Sequence, residues 1–227
     1  HQLRAVQDVQ HAIASGVQRN VQTSPTGGGK TRMMCDLIDR WCEEGHRVAL
    51  YTNRKLLIEQ TSRVMATAGV DHGVRAAGHD DQDDQFAQVQ VCSTQTENAR
   101  VFRAGRWQLH PAQRVLVDEA HCQTGDVMHK ILQTHAEAGA ATVLVTATPL
   151  GLAEFADLLI QAGTTSELRA CGALVPAIHY APDEPDLKAF KKLQAKLDAG
   201  ENPSEKEAAK AMMNPTLMAR AWKWFNV

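Results

Sequence analysis

Apolar and polar positions along this chain repeat with two different periods, and each change of period marks an element. The opening run LRAVQDVQHAIASG sets Leu3, Val6, Val9 and Ile13 near helical spacing, which predicts an amphipathic helix that Gly16 can stop. A short extended run, Val21 to Thr23, then enters a glycine stretch. Beyond Lys30 the pattern TRMMCDLIDRWCEEG is helical again, with Met33, Met34, Leu37, Ile38 and Trp41 on one face and Gly45 at its end. Short β-rich runs follow at 47–52, 89–94, 114–120 and 141–149, with a further helix over KLLIEQTSRVMATAG. Such runs separated by helical segments imply an α/β protein with a mostly parallel sheet and crossover helices on both faces.

Past about Pro176 the strand-like runs stop and Lys, Glu, Ala and Pro dominate. Leu187, Phe190, Leu193 and Leu197 mark an amphipathic helix after a proline-bounded linker, and Trp222, Trp224 and Phe225 cluster beyond it. The expected organisation is a domain over 1–178 and a helical tail over 179–227, the tail being too short for a second nucleotide-sized domain.

Composition excludes more than it assigns. The chain has 227 residues, 44% hydrophobic and 22% charged, as an ordinary globular protein does. No apolar run approaches the roughly 20 residues that cross a bilayer, and no basic-then-apolar leader opens it, so a cytoplasmic protein is expected. Cys35, Cys42, Cys92, Cys122 and Cys171 include no C-x-x-C pair, which predicts buried free thiols rather than a disulfide framework or a cysteine-rich metal site. A net charge of −2 gives no global sign of a nucleic-acid partner but leaves room for a local face. The acidic stretch GHDDQDDQ at 78–85 is most simply a solvated loop.

Chemistry concentrates in two places. Residues 24–31, SPTGGGKT, fit the phosphate-loop pattern G-x-x-x-x-G-K-[ST] with Ser24 in place of the first glycine. Gly27, Gly28 and Gly29 let backbone N–H groups approach phosphate oxygens without Cβ obstruction, at the positive end of the following helix. Lys30 is then placed for the β- and γ-phosphates, and the Thr31 hydroxyl for Mg²⁺. The second place is VLVDEAH at 115–121, an apolar strand that ends in adjacent carboxylates. Packing rarely asks for that, whereas a Mg²⁺-nucleotide site does: Asp118 to hold the ion and Glu119 to orient or deprotonate a water.

With these residues the chain resembles the first RecA-like domain of superfamily 2 helicases, the D-E-A-H-box group that includes phage and bacterial DNA helicases and type III restriction motor subunits. SPTGGGKT resembles motif I, YTNRKLLIEQT at 51–61 motif Ia, VCSTQT at 91–96 the strand-end motif before the acidic pair, VDEAH at 117–121 motif II, and TATP at 146–149 motif III. The likeness runs from about Leu3 through ELRACGALVP at 167–176. It implies ATP and Mg²⁺ as cofactors and adds roles: Gln7 on the adenine edge, His121, Thr146 and Thr148 coupling hydrolysis to the nucleic-acid face. Asn53, Arg54, Thr94 and Gln95, at strand ends on the opposite rim, would contact the sugar-phosphate backbone.

The helicase motifs of the second RecA-like domain, its arginine finger among them, have no counterpart before Val227. The resemblance therefore implies a motor fragment that binds nucleotide better than it hydrolyses it, and a second domain of the same parent as partner. The expected function is ATP-dependent movement on nucleic acid, with DNA as the track. A restriction-system translocase is the rival enzyme, and a non-catalytic helicase-like clamp the rival from another class; intact Lys30, Thr31, Asp118 and Glu119 speak against the clamp.

Overall fold

The computed structural model describes residues 1–79, 84–175 and 195–196. The chain divides into two units, His1–Val175 and Pro176–Val227, and the sheet lies in the first. The boundary at 178/179, the tail helix, the Trp222, Trp224 and Phe225 cluster, and four residues of the acidic stretch lie outside the described residues. Of that stretch, Asp84 is exposed and its carboxylate accepts from the Phe86 amide at 2.9 Å, as a solvated turn does.

Seven strands, all parallel, form one sheet: β1 (Arg19–Thr23), β2 (Val48–Thr52), β3 (Gly73–Arg75), β4 (Val89–Ser93), β5 (Arg114–Val117), β6 (Ala141–Thr146) and β7 (Leu158–Gln161). Their order across the sheet is β3-β4-β2-β5-β6-β1-β7. The helices are α1 (Gln2–Ala14), α2 (Lys30–Glu43), α3 (Lys55–Thr67), α4 (Thr94–Glu97), α5 (Asp126–Glu137) and α6 (Thr165–Ala170). A π-helical turn, Asn98–Arg103, continues α4, and a 3₁₀ turn, Ala120–Cys122, follows β5.

The strands are buried on both faces because alternate residues feed two cores. Val48, Leu50, Val91, Leu116 and Val143 pack with α1, α2 and α3; Ala49, Tyr51, Val115, Val117 and Leu144 pack with α5. In α2, Met33, Met34, Leu37, Ile38 and Trp41 are all buried, as their spacing predicts. In α1 the stripe is shifted: Leu3 is 58% exposed, and Ala5, Val6, Val9, Ala12 and Ile13 face inward. The two alanines let α1 lie close against its neighbours, so volume rather than hydrophobicity sets the seam.

Two further expectations need correction. The runs at 114–120 and 141–149 leave the sheet early, β5 at Val117 and β6 at Thr146, because Asp118 onward and Ala147 onward form turns. Nor are all the thiols buried: Cys35 and Cys92 are, Cys42 is half-buried, and Cys122 and Cys171 are exposed on segments after β5 and α6. Among the described residues no helix is long and apolar enough to cross a membrane.

The second core holds two histidines that folding keeps neutral. The Tyr51 hydroxyl and His135 Nε2 share a hydrogen bond of 2.7 Å, and burial pushes the imidazole from 6.5 down to about 4. His110 falls to about 4 chiefly by burial, against the opposing bond to the Gln88 carbonyl. Because both folded values lie below the unfolded one, the unfolded chain takes up protons that the folded chain refuses as the pH drops from 6.5 towards 4. Stability is therefore expected to be full above pH 6.5 and to fall by about 2 kcal/mol per histidine between pH 7 and 5. Urea melts across that range test this, and replacing both with glutamine should flatten the dependence.

Candidate functional site

Parallel pairing sends every strand-to-helix turn to the carboxyl edge of the sheet, where such folds place their ligands. Along it stand, in spatial order, Thr94 and Gln95 after β4, Asn53 and Arg54 after β2, Asp118 and Glu119 after β5, Ala147 to Pro149 after β6, and Ser24 to Gly29 after β1. The four residues expected to grip nucleic acid are thus on the same edge as the phosphate loop, displaced along it, and not on an opposite rim. A wholly parallel sheet has one carboxyl edge, which is the physical reason.

The glycine stretch joins β1 to α2 and is shaped for close approach. Gly27 and Gly29 adopt φ +80° and +88°, a conformation that side chains disfavour. A Cβ on Gly28 would lie 2.2 Å from Ser24 Oγ and 2.9 Å from the Pro25 carbonyl oxygen. One on Gly29 would meet Gln2 Nε2 at 1.9 Å. The Gly28 amide donates to the Pro25 carbonyl at 2.9 Å, so this N–H turns inward rather than joining a converging cradle. Among the described residues Ser24 Oγ is buried without a hydrogen-bond partner and α2 opens with no side-chain cap, leaving its first-turn amides to an outside acceptor. Lys30 and Thr31 occupy that first turn, both half-buried.

Across β6, Asp118 sits at the tip of β5 and is 8% exposed. Burial pushes its carboxyl up; the Glu119 amide, which donates to Oδ1 at 2.9 Å, opposes this, Glu119 adds to it, and the Lys30 and His121 charges pull it back. Lys30 thus acts electrostatically on Asp118 although their strands are two spacings apart, about 10 Å. A desolvated carboxylate with a lysine, a threonine and open helix amides nearby suits a phosphate chain with a divalent cation. Mg²⁺ commonly takes one or two carboxylates and completes its shell with phosphate and water. Among the described residues no group of three or more His, Cys, Asp or Glu side chains could hold a metal alone.

Glu119 has φ +46° and ψ +46°, the left-handed region, and is the one non-glycine residue with positive φ among the described residues. That geometry costs about 1–2 kcal/mol for a residue bearing a Cβ and recurs at functional turns. His121 follows: its Nδ1 is 3.4 Å from Glu119 Oε2 and 2.9 Å from Thr146 Oγ1. Thr146 Oγ1 also accepts from the Thr148 amide at 3.0 Å. His121, Thr146 and Thr148 are therefore one connected group.

The nucleic-acid candidates are tied together as well. Gln95 Nε2 donates to the Asn53 carbonyl at 2.8 Å, and Asn53 Nδ2 to the Cys122 carbonyl at 3.2 Å, while Arg54 is exposed at the entry to α3. Thr94 Oγ1 donates to Gln123 Oε1 at 2.6 Å, and Gln123 Nε2 donates to the Asp118 carbonyl at 2.7 Å. Gln123, buried and absent from the sequence-based set, joins the acidic tip to the end of β4. Its position two residues past VDEAH was the only signal, since periodicity is silent in a turn. Gln7 is exposed on α1; the residues of that segment that reach the phosphate loop are His1 and Gln2, whose Nε2 atoms lie 3.2 and 3.3 Å from the Gly28 carbonyl oxygen.

Residues 1–151 match the family model described as "Type III restriction enzyme, res subunit". No curated protein sequence matches the chain. Among solved structures, it is similar to the Hef helicase domain of Pyrococcus furiosus, with 18% identity and a TM-score of 0.58 over 93% of this chain and 54% of that one. It is also similar to the UvsW helicase of bacteriophage T4, with 16% identity and a TM-score of 0.52 over 63% of this chain and 54% of that one. The chain thus spans about half the length of each, and what it shares with them is the fold.

Relief of backbone strain gives a test of the Glu119 turn. Glu119→Gly is expected to leave stability unchanged or raise it by up to about 1 kcal/mol, where a glycine elsewhere on the surface lowers it. Thermal melts of the two glycine variants read the difference; a clear loss at Glu119 would show that the turn carries no strain.

Proposed function

Because the chain belongs to the family of the type III restriction enzyme res subunit, we propose that it is the ATP-binding motor domain of an ATP-dependent DNA helicase or translocase. The observation that carries this reading is the meeting, on one edge with only β6 between, of the Lys30 loop and the buried Asp118 carboxylate. Gly27, Gly29 and Lys30 hold the phosphates, Gly28 keeps the turn compact where a Cβ would not fit, Thr31 and Asp118 hold the Mg²⁺, and Gln7 meets the adenine edge. Bound there, ATP with Mg²⁺ supplies the phosphoanhydride whose hydrolysis drives movement.

The chain's own part is to position and to sense. Glu119, pinned by its strained turn and facing His121, orients the attacking water and accepts its proton. His121, Thr146 and Thr148 relay the occupancy of the site to the turn after β6. Asn53, Arg54, Thr94 and Gln95 grip a strand through its sugar-phosphate backbone, without reading bases. A second RecA-like domain of the same parent closes on this edge and supplies an arginine finger worth on the order of a thousandfold in turnover.

The family description favours one further reading, a restriction-system subunit that translocates along duplex without separating its strands. Strand-displacement and triplex-displacement assays on the full-length protein divide the two: activity in both marks a helicase, and activity in the second alone a translocase.

Lys30→Ala should abolish nucleotide binding in the full-length protein, whereas Glu119→Gln should keep binding and lower turnover by at least about a hundredfold. Fluorescent-nucleotide titration together with phosphate release under saturating single-stranded DNA reads both. Full ATPase activity in Lys30→Ala would sink the assignment of the loop.

A further inference from the structure

Between the end of β4 and the start of β5 the chain carries a basic segment that the site above does not use. From residue 98 to 113 it holds Arg100, Arg103 and Arg106 and no carboxylate, although the protein as a whole is slightly acidic. The segment leaves the carboxyl edge directly, since α4 begins at Thr94 and runs without a break into the π-helical turn Asn98–Arg103. Arg103 and Arg106 are exposed and form no ion pair with another described residue.

The segment is held rigidly. Arg75, at the carboxyl end of the edge strand β3, donates to Glu97 at 2.7 and 3.1 Å in a buried bidentate pair and to the Gln108 carbonyl at 2.7 Å. Two guanidinium groups lie over the Trp107 ring, Arg75 at 4.5 Å and Arg100 at 4.2 Å from its centroid. The Trp107 amide bonds the Arg100 carbonyl at 3.2 Å, as does that of Arg106 at 2.8 Å. The Lys130 ammonium of α5 lies over the Phe102 ring at 4.4 Å. The Trp107 ring therefore helps to hold Arg75 and Arg100 in place.

With the backbone of the segment tied in this way, Arg103 and Arg106 present planar guanidinium forks, which match phosphate oxygens better than the point charge of a lysine does. The segment also prolongs the row that Asn53 and Gln95 begin, beyond β2 and β4 towards β3. We propose that residues 98–107, with Arg103 and Arg106 as the contacting cations, form a second grip on the phosphodiester backbone of a nucleic-acid strand that lies across Asn53, Arg54 and Gln95. This rests on the motor reading above and adds to it a binding surface blind to base sequence.

Salt dependence tests it, since each phosphate contact on a single strand contributes about 0.7 to the slope of log affinity against log salt. Anisotropy titrations of a fluorescein-labelled oligothymidylate with the full-length protein, from about 50 to 200 mM salt, compare four proteins: the parent, Arg103→Ser with Arg106→Ser, Arg103→Lys with Arg106→Lys, and Arg54→Ser. The double serine variant is expected to lose about 1.4 from the slope with an unchanged melting temperature, and the double lysine variant to keep the slope. A parent-like slope in the double serine variant, with a reduced one in Arg54→Ser, would overturn this surface and leave the motor reading standing. Failure of the parent to bind the oligonucleotide at any salt would remove both.

Discussion

All seven strands run the same way, and that single constraint organises the molecule. Parallel neighbours cannot be joined by tight hairpins, so each connection crosses a face of the sheet and buries it. The strands must then be apolar on both sides, as Val48 to Tyr51 and Val115 to Val117 are. Polar chemistry is left one place to gather, the turns at the carboxyl edge. The phosphate loop, the acidic tip of β5 and the polar ends of β2 and β4 share that edge because nothing else in the architecture admits them.

What the edge holds is costly to keep. Asp118 is a carboxylate taken out of water, Glu119 sits in a backbone region that side chains avoid, and Ser24 Oγ is buried without a partner among the described residues. Each feature works against folding on its own. A merely structural turn would shed all three through small changes: Ser24 to alanine, Glu119 to glycine, Asp118 to asparagine. Their coexistence in two turns with only β6 between them sets this edge apart from an ordinary structural turn.

How far the sequence revealed this depends on the kind of signal. The loop and the acidic pair were legible because their chemistry is carried by neighbouring residues, so no knowledge of tertiary structure was needed. The helix α2 was legible because five large apolar residues fall on one face, whereas α1 misled because its buried seam includes Ala5 and Ala12, which periodicity weighs lightly against Leu3. β3 has three residues, too few to show a period, and β7 lies at an edge where Leu158 and Leu159 stay largely exposed. Gln123 was hidden for a different reason. Its partners, Thr94 and the Asp118 carbonyl, are brought to it only by the fold.

Those long-range bonds change what kind of object the edge is. Asp118 is held at its carboxylate by the Glu119 amide and at its carbonyl by Gln123, which is held in turn by Thr94. On the other flank, His121 touches both Glu119 and Thr146, and Thr146 fixes Thr148. A shift of the β5 tip by a fraction of an ångström therefore stretches bonds on two sides at once, towards the end of β4 and towards the turn after β6. Bonds of 2.6 to 2.9 Å between buried and half-buried groups tolerate little lengthening before they are lost. The carboxyl edge is consequently a connected network, in which a displacement at one strand end is shared with its neighbours on both flanks.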